Sequence, residues 1–517
     1  MNNQEVTRNI WRNSISNYVC TIIRMVAGLL MFRMLYQNLT REEFGFWALL
    51  WSVFGYGILL DFGFGFTAEK RVAELSVHQE WDRLSQILST IFYVYLVIGI
   101  LMIVTILFGS HFVIDIFNIT DGNRERFREI LVWFFIGMAI AFPLGIFPEI
   151  LIGQQKMWLT NIIFSAGVLA NFVCVALAIH YHWSLRTIFI IALLSGIIPC
   201  IVSALFAFRH LPKVKIRLRN FSFGIIRETM QFSIFAYLTT ISSVILAKTD
   251  QLVISAALSV SAVAIYQVGS KLAETFAGFT QQLPATFSPA AAHLHAKGDK
   301  TYLKQLLING TRFTLMIGTP LYLICAFYME GILSILTGDR IPSREIFWIS
   351  QVLLFWCYMV LVTQSVSKRI FMMCGHERLL MKFSVGEALL NLALSIGLVL
   401  YFRNVICVAL GSLISTMIFG WFFVWPMSAR EAELSCWKLA RTVLIPIWLA
   451  SLPLLAFLML GRFAPWFDFR SSTILFLAQC VVAGLVAALS FWHAALSTSE
   501  RAHLVARFGK YFRFSPA

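Results

Sequence analysis

Eight charged residues lie within long apolar stretches of this sequence. A charged side chain in hydrocarbon costs at least about 2.5–3.5 kcal/mol, so it normally faces a bundle interior or a water-filled cavity. Cations in such places can hold an anionic ligand, and carboxylates can carry a coupling ion. The cations are Arg24, Arg33, Lys248 and Lys271, and the acids are Asp61, Asp250, Glu274 and Glu387.

Among the cations, position along the apolar stretch matters. Arg24 is near mid-depth of the first stretch, too far from either end for comfortable snorkelling. Arg33 is about one turn from the outer end and can reach the interface instead. If the two halves of the chain face each other, Arg24 and Lys248 can line one cavity from opposite sides.

Spacing separates candidate sites from simple ion pairs. Lys271 and Glu274 are three residues apart and can pair on one helical face, so a structural role stays open for them. Lys248 and Asp250 are two apart and point to different faces. Lys248 is therefore available to another partner.

The stretch "LLDFGFGFTAEKRVAEL" places Asp61 among phenylalanines and glycines. Asp61 lies about six residues, or roughly 9 Å, inside the membrane from the charged run that begins at Glu69. Gly63 and Gly65 permit a bend or close helix packing nearby. Asp61 is a candidate to carry a coupling proton or to hold Arg24, and the alternative is a packing pair with no transport role.

A second unusual stretch is "FTQQLPATFSPAAAHL", which contains two prolines and two glutamines. Pro284 and Pro289 break regular helix hydrogen bonding, which is tolerated at membrane depth where the backbone lines a cavity. Gln281 and Gln282 offer uncharged polar groups for sugar hydroxyls. The stretch predicts part of a glycan cavity.

The composition predicts an integral membrane protein. The chain is 59% hydrophobic and 13% charged, whereas soluble domains average about half and about a quarter. A membrane-crossing helix needs about 20 apolar residues. By that rule the 517 residues contain fourteen spans, near residues 15–37, 44–66, 86–108, 130–152, 157–179, 186–208, 231–256, 262–289, 311–331, 346–368, 380–402, 404–426, 442–461 and 472–495.

The net charge of +15 is a topology signal and does not indicate nucleic-acid binding. About 27 of the 41 Lys and Arg residues fall in the N-terminal tail, the even-numbered connections and the C-terminal tail, about 10 in the other connections, and 4 within spans. The positive-inside rule then places both termini in the cytoplasm.

The chain also repeats itself. Shifted by 219 residues, it aligns Gly99 with Gly318 and ten further identities over about eighty positions. Two parallel repeats around a central substrate site are a known transporter plan. We therefore expect an all-α protein with two pseudo-symmetric six-helix lobes and two C-terminal helices: an N-lobe at 1–208, a basic linker at 209–230, a C-lobe at 231–426, and spans thirteen and fourteen with the tail at 427–517.

Catalytic motifs are missing from the sequence. It contains no Walker motif and no nucleophile motif, and His293 and His295 do not have zincin spacing. Seven of the nine cysteines lie in or beside apolar runs, show no CxxC spacing and are interpreted as small hydrophobes. We expect no enzyme, no cofactor and no metal site.

Two stretches carry a family resemblance. "LYQNLTREEFGFWALLWSV" and "LLDFGFGFTAEKRVAEL" resemble the first external loop and the end of the second span in the polysaccharide transporter branch of the multidrug, oligosaccharidyl-lipid and polysaccharide exporter superfamily, and O-antigen flippases in particular. The matching residues are Leu39, Glu42, Glu43, Phe44, Gly45, Asp61, Phe62 and Gly63, with Trp47 near the usual aromatic position.

The resemblance implies a flippase for undecaprenyl-diphosphate-linked oligosaccharide in a bacterial inner membrane, driven by an ion gradient. The expected partners are the lipid-linked oligosaccharide, membrane lipids and polysaccharide polymerase or assembly proteins, with the chain acting as a monomer. Mid-depth cations suit a diphosphate, whose negative charge must cross low-dielectric space. The alternatives are a multidrug exporter, which typically has an acid in the first span where this chain has arginines, and a lipid II-type flippase.

Overall fold

The computed structural model describes residues 3–501 except 118, 120, 155, 286, 288–290, 292–299, 339–342, 375, 464–472 and 497–500. All regular elements in these residues are helical, as predicted. The first repeat contains α1 (Asn3–Asn38), α2 (Arg41–Gly55), α3 (Phe64–His78), α4 (Trp81–Ile116), α5 (Arg124–Leu144), α6 (Ile146–Gly153), α7 (Met157–His180) and α8 (Leu185–His210). A 3₁₀ segment, Tyr56–Asp61, joins α2 to α3.

The helices of the second repeat come next in the chain, followed by the C-terminal helices. They are α9 (Phe223–Ala257), α10 (Val260–Thr280), α11 (Gln282–Ala285), α12 (Lys300–Phe327), α13 (Met329–Thr337), α14 (Arg344–Thr363), α15 (Ser365–Met373), α16 (Glu377–Phe402), α17 (Ile406–Phe419), α18 (Trp425–Glu431), α19 (Cys436–Ala450), α20 (Leu452–Phe463) and α21 (Thr473–Ala494).

Eleven helical segments in the described part of the chain are long and apolar enough to cross a membrane, and the Ala478–Ala494 part of α21 is a shorter apolar segment. The chain is therefore a multi-pass membrane protein. Helices α9 and α10 cover most of the predicted seventh and eighth spans, which are the least apolar. The total of fourteen spans stays a prediction.

The helix boundaries repeat with the offset that the sequence indicated. Four pairs of equivalent helix ends are separated by 219 residues: Asn38 with Ala257, Arg41 with Val260, Trp81 with Lys300, and Leu144 with Thr363. Equivalent starts and stops at a constant offset mean that the two halves share one helical plan, which is the parallel-repeat organisation known in transporters.

The acidic run of the "NLTREEF" stretch builds the start of α2. The Thr40 hydroxyl accepts a hydrogen bond from the Glu43 backbone N at 3.2 Å, and Glu43 Oε2 accepts one from the Thr40 backbone N at 3.0 Å, which is a capping box. Arg126 Nη1 lies 2.9 Å from Glu43 Oε1, and Asn123 Nδ2 donates to Glu42 at 2.6 Å. These residues therefore begin a helix and tie it to the region around the start of α5.

The chain divides into two compact units. Unit 1 contains Met1–Gln267, Leu336–Gly338 and Val399–Arg403, and unit 2 contains Val268–Ile335, Asp339–Leu398 and Asn404–Ala517. Helix α9, the first of the second repeat, thus belongs to unit 1 together with the first repeat. The predicted lobe boundaries at 208, 230 and 426 stay predictions.

Each unit has its own apolar cluster. In unit 1, buried residues of α3, α4 and α6 interlock, among them Phe64, Leu88 and Leu151, each at most 2% exposed. In unit 2, Tyr328 packs with Leu458 of α20 and other residues of α20 and α21. These clusters mark where helices pack closely within each unit, and in lipid such packing is stabilised mainly by van der Waals contacts.

Candidate functional site

Three of the four cations in the apolar stretches lie in unit 1 without a carboxylate partner. Arg24 is half-buried on α1, and its guanidinium donates to the Thr21 hydroxyl of the same helix at 3.3 Å. Within the residues that the structure describes, neither Arg24, Arg33 nor Lys248 forms an ion pair with Asp or Glu. Their charge is therefore available to an anion.

The Lys248 side chain is positioned by α2. The Ser52 hydroxyl donates to the Lys248 backbone carbonyl at 2.8 Å, which fixes α9 against α2 at this level. A Cβ at Gly55 would come within 2.9 Å of Lys248 Cε and 3.1 Å of its Cδ and Cγ. Glycine at position 55 therefore leaves space for the lysine stem to pass close to α2, and a larger residue would require the Lys248 side chain to shift. Neither Ser52 nor Gly55 could be recognised as a positioning residue from the sequence alone.

Asp61 is held at a sharp break in the chain. Phe62 and Gly63, which follow it, both adopt left-handed backbone conformations with φ of 50° and 79°. Its Oδ1 accepts a hydrogen bond from the Gly65 backbone N at 3.0 Å and another from the Tyr95 hydroxyl of α4. The structure thus gives Asp61 a tyrosine partner that the sequence did not reveal.

A second carboxylate lies close to Asp61. A Cβ at Gly65 would be 3.2 Å from Asp61 Oδ1 and 3.6 Å from Cγ of Glu149 on α6, so both acids flank this glycine. Burial raises the pKa of the Glu69 carboxyl, one turn further along α3.

Arg24 does not contact Asp61 in the described part of the chain, so the idea that Asp61 holds Arg24 has no support in the geometry.

Asp250, the second of the two apolar-stretch acids in unit 1, faces away from Lys248. It is 5% exposed, and its Oδ2 accepts a hydrogen bond from the Tyr266 hydroxyl of α10. This agrees with the predicted two-residue separation of faces. Asp250 binds α9 to α10 and leaves the Lys248 charge unneutralised.

Glu387 of unit 2 is a fully bonded carboxylate. The residue is 1% exposed. Its Oε1 accepts from Gln364 Nε2 at 3.0 Å and from the Thr416 hydroxyl at 2.9 Å, and its Oε2 lies 2.8 Å from Lys368 Nζ. This neighbourhood favours a structural ion pair over a coupling role, and Lys368 was missed because it lies at the end of an apolar stretch.

Lys271 and Glu274 form the ion pair that their spacing allows. The Nζ to Oε2 distance is 3.3 Å, and the Glu274 side chain is 43% exposed. Because the pair is partly solvated, it contributes little to stability. Lys271 and Glu274 remain predictions as substrate and coupling residues.

The two glutamines of the proline-containing stretch have protein partners. Gln281 Nε2 donates to the Ser365 hydroxyl at 2.6 Å, and Gln282 Nε2 donates to the Gly278 carbonyl at 3.0 Å. Helix α10 ends at Thr280 and α11 covers Gln282–Ala285, so the helix is interrupted before Pro284. Pro289, His293 and His295 lie outside the described residues. A role in glycan binding stays a prediction.

The sequence places the chain in a known family. Residues 10–282, more than half of the chain, match the family described as polysaccharide biosynthesis protein. The chain belongs to this family, which agrees with the predicted resemblance. No curated protein matches the sequence.

Solved structures share the fold. A lipid II flippase MurJ in an inward closed conformation matches with a TM-score of 0.71 at 15% identity, over 97% of this chain and 99% of that chain. An inward-facing multidrug resistance MATE transporter of the MOP superfamily matches with 0.64 at 16% identity, over 84% and 99%. A MOP superfamily transporter from Pyrococcus furiosus, described as having a binding pocket of reverse polarity, matches with 0.56 at 15% identity, over 82% and 95%.

We expect the Lys368–Glu387 and Lys271–Glu274 ion pairs of unit 2 to differ in their contribution to stability. Lys368→Met should lower the free energy of unfolding by about 3–5 kcal/mol, because it leaves the buried Glu387 charge uncompensated. Lys271→Met should lower it by about 1 kcal/mol or less. Denaturant titration of the purified variants in detergent measures both values, and equal losses would contradict the assignment of Glu387 to a structural pair.

Proposed function

We propose that this protein moves an undecaprenyl-diphosphate-linked oligosaccharide from the inner to the outer leaflet of a bacterial plasma membrane, such as an O-antigen, capsule or exopolysaccharide repeat unit. The observation that carries the proposal is a set of three cations in unit 1 that form no ion pair with Asp or Glu among the described residues: Arg24, Arg33 and Lys248. Family membership and the shared fold of lipid and drug transporters support it.

The chemistry of the lipid carrier matches these cations. A diphosphate is negatively charged and must pass a region of low dielectric constant, where an opposite charge stabilises it strongly. A guanidinium binds phosphate oxygens through a planar fork, whereas an ammonium acts as a compact point charge. Arg24 and Lys248 would hold the diphosphate while the isoprenoid chain stays in lipid.

The distribution of Lys and Arg supports an inner-membrane protein with both termini in the cytoplasm. Substrate would then enter from the cytoplasmic leaflet, where lipid-linked repeat units are assembled. A polysaccharide polymerase on the outer side would consume the product. The chain would act as a monomer, since each pair of repeats forms one transport path.

Coupling to an ion gradient is assigned to Asp61 in this proposal. Asp61 lies at the broken helix between α2 and α3, with a tyrosine hydroxyl on Oδ1 and Glu149 nearby. Regular helix hydrogen bonds are interrupted at this break, so a change in the charge of Asp61 can shift the backbone there. Proton uptake by Asp61 would alter the contact with Tyr95 and the position of α4.

The second candidate is a flippase for a lipid II-type molecule. It is favoured by the TM-score of 0.71 to the lipid II flippase over nearly the whole chain. Both substrates present a diphosphate, so the same cations serve either one. Export of cationic drugs fits less well, because three unpaired cations repel a positively charged ligand.

Removal of Arg24 or Lys248 should abolish transport without loss of folded protein. Arg24→Ala and Lys248→Ala each remove a charge that has no counter-ion among the described residues, so folding loses little while diphosphate binding loses a partner. Deletion of the gene in its host, complemented with each variant, tests this. Surface polysaccharide should disappear, and lipid-linked oligosaccharide should accumulate in the cytoplasmic leaflet.

Matched controls separate charge loss from general damage. Arg33→Lys keeps a cation near the interface and should complement fully. Lys271→Ala removes a cation that is already paired with Glu274, and should reduce transport less than Lys248→Ala. Full complementation by a stably expressed Arg24→Ala protein would remove Arg24 from the site. Normal glycan with new sensitivity to cationic drugs after deletion would favour the multidrug alternative.

The coupling role of Asp61 has its own test. Asp61→Asn keeps the shape of the side chain but cannot change charge, so transport driven by a proton gradient should be lost at every pH. Tyr95→Phe keeps the carboxyl but removes its hydrogen bond to α4, so transport should still depend on pH but should be slower than in the wild type. Transport assays in proteoliposomes with an imposed pH gradient measure both, and an Asp61→Asn protein that transports like the wild type would exclude Asp61 as the coupling group.

A further inference from the structure

The connection between α8 and α9, residues Leu211–Ser222, carries several cations that have no role in the proposed transport mechanism. We call it the basic strap. It contains no acidic residue, and neither do the flanking residues between Phe208 and Arg227. Four of its side chains are exposed cations that form no ion pair within the described part of the chain: Lys213, Lys215, Arg217 and Arg219.

The backbone of the strap is fixed to α4 by hydroxyl groups. Three strap N–H groups each donate to a side-chain oxygen of α4 at 3.1 Å, which satisfies backbone donors that a free loop would leave to water. The bonds run from Lys215 N to Ser85 Oγ, from Arg217 N to Ser89 Oγ and from Ser222 N to Thr90 Oγ1. The strap is therefore an ordered surface of unit 1.

The inner face of the strap is apolar. Leu211 and Val214 are 6% and 5% exposed, and Ile216 packs against the cluster formed by α3, α4 and α6. Arg217 has extended backbone angles, with φ of −139° and ψ of 145°. Because successive side chains of an extended segment alternate between faces, burial of Val214 and Ile216 directs the neighbouring cations outward.

Two large apolar side chains are exposed beside these cations. Leu218 is 68% exposed and Phe223 is 78% exposed. The strap also begins one residue after His210, where α8 ends, and α8 is long and apolar enough to cross the membrane. Cations next to exposed apolar side chains, at the end of a membrane-crossing helix, are the pattern of a segment that lies in the membrane interface.

We propose that the basic strap binds the headgroups of anionic phospholipids at the membrane surface, with Leu218 and Phe223 inserted at the level of the acyl chains. Each Lys or Arg near an anionic leaflet favours association by about fivefold. An acidic protein partner would match the cations but would not need two exposed apolar side chains beside them. Two acids near the strap, Glu80 and Asp82, are also exposed. Lys213 Nζ lies 5.7 Å from the Trp81 ring centre, which keeps this lysine beside the start of α4.

Photolabelling of the full-length protein in nanodiscs tests the proposal. The discs consist of phosphatidylcholine with a small fraction of a photoactivatable phosphatidylglycerol, and labelled peptides are mapped after illumination. Peptides from residues 208–227 should be labelled in the wild type. The variant K215Q/R217Q/R219Q should show a reduction of about fivefold for each cation removed.

The control variant K382Q/K438Q/R441Q loses the same charge at three other exposed positions and should label the strap like the wild type. Unlabelled phosphatidylglycerol should compete, and glycerol phosphate should not. Equal strap labelling by a photoactivatable phosphatidylcholine, as expected if the cations serve an acidic protein partner, would overturn the proposal. So would unchanged labelling in K215Q/R217Q/R219Q, or full competition by glycerol phosphate.

Discussion

A charged side chain without a partner costs free energy in a medium of low dielectric constant, and this cost determines which partners the charged residues of the apolar stretches have. Each of the four acids in the apolar stretches receives a donor from the protein: Asp61 from Tyr95 and Gly65, Asp250 from Tyr266, Glu274 from Lys271, and Glu387 from Gln364, Thr416 and Lys368. Arg24, Arg33 and Lys248 have no carboxylate partner among the described residues. This asymmetry leaves three cations in the apolar stretches without a carboxylate partner among the described residues, and an anionic substrate can pair with them.

The unpaired lysine depends on the packing of α9 against α2. Ser52 fixes the backbone at Lys248, and Gly55 gives space to its side chain. The neighbouring carboxylate, Asp250, is turned away and bonded to α10. Helix α9 thus carries, two residues apart, a cation that forms no ion pair with Asp or Glu among the described residues and an acid that is hydrogen-bonded to α10.

The helical plan was readable from the sequence because apolar length and helix termini are local properties. The 219-residue offset recurs in the helix ends, and the capping box at Thr40 and Glu43 lies in a motif that the sequence alone displays. The partners of the charged residues were not readable. Tyr95 is 34 residues from Asp61, and Ser52 is 196 residues from Lys248, so only the packing of separate helices brings them together. The pair of Lys271 and Glu274 was predictable, because residues three apart on one helix lie close together regardless of how separate helices pack.

Binding of an isoprenyl diphosphate to the purified full-length protein tests the central claim most directly. The account predicts saturable binding of the diphosphate, weaker binding of the corresponding neutral alcohol, and an affinity lower by about tenfold or more for each cation removed in Arg24→Ala/Lys248→Ala. Cationic drugs should not compete. Equal affinity of the double variant and the wild type, or displacement of the diphosphate by a cationic drug, would contradict the claim that unpaired cations form the substrate site.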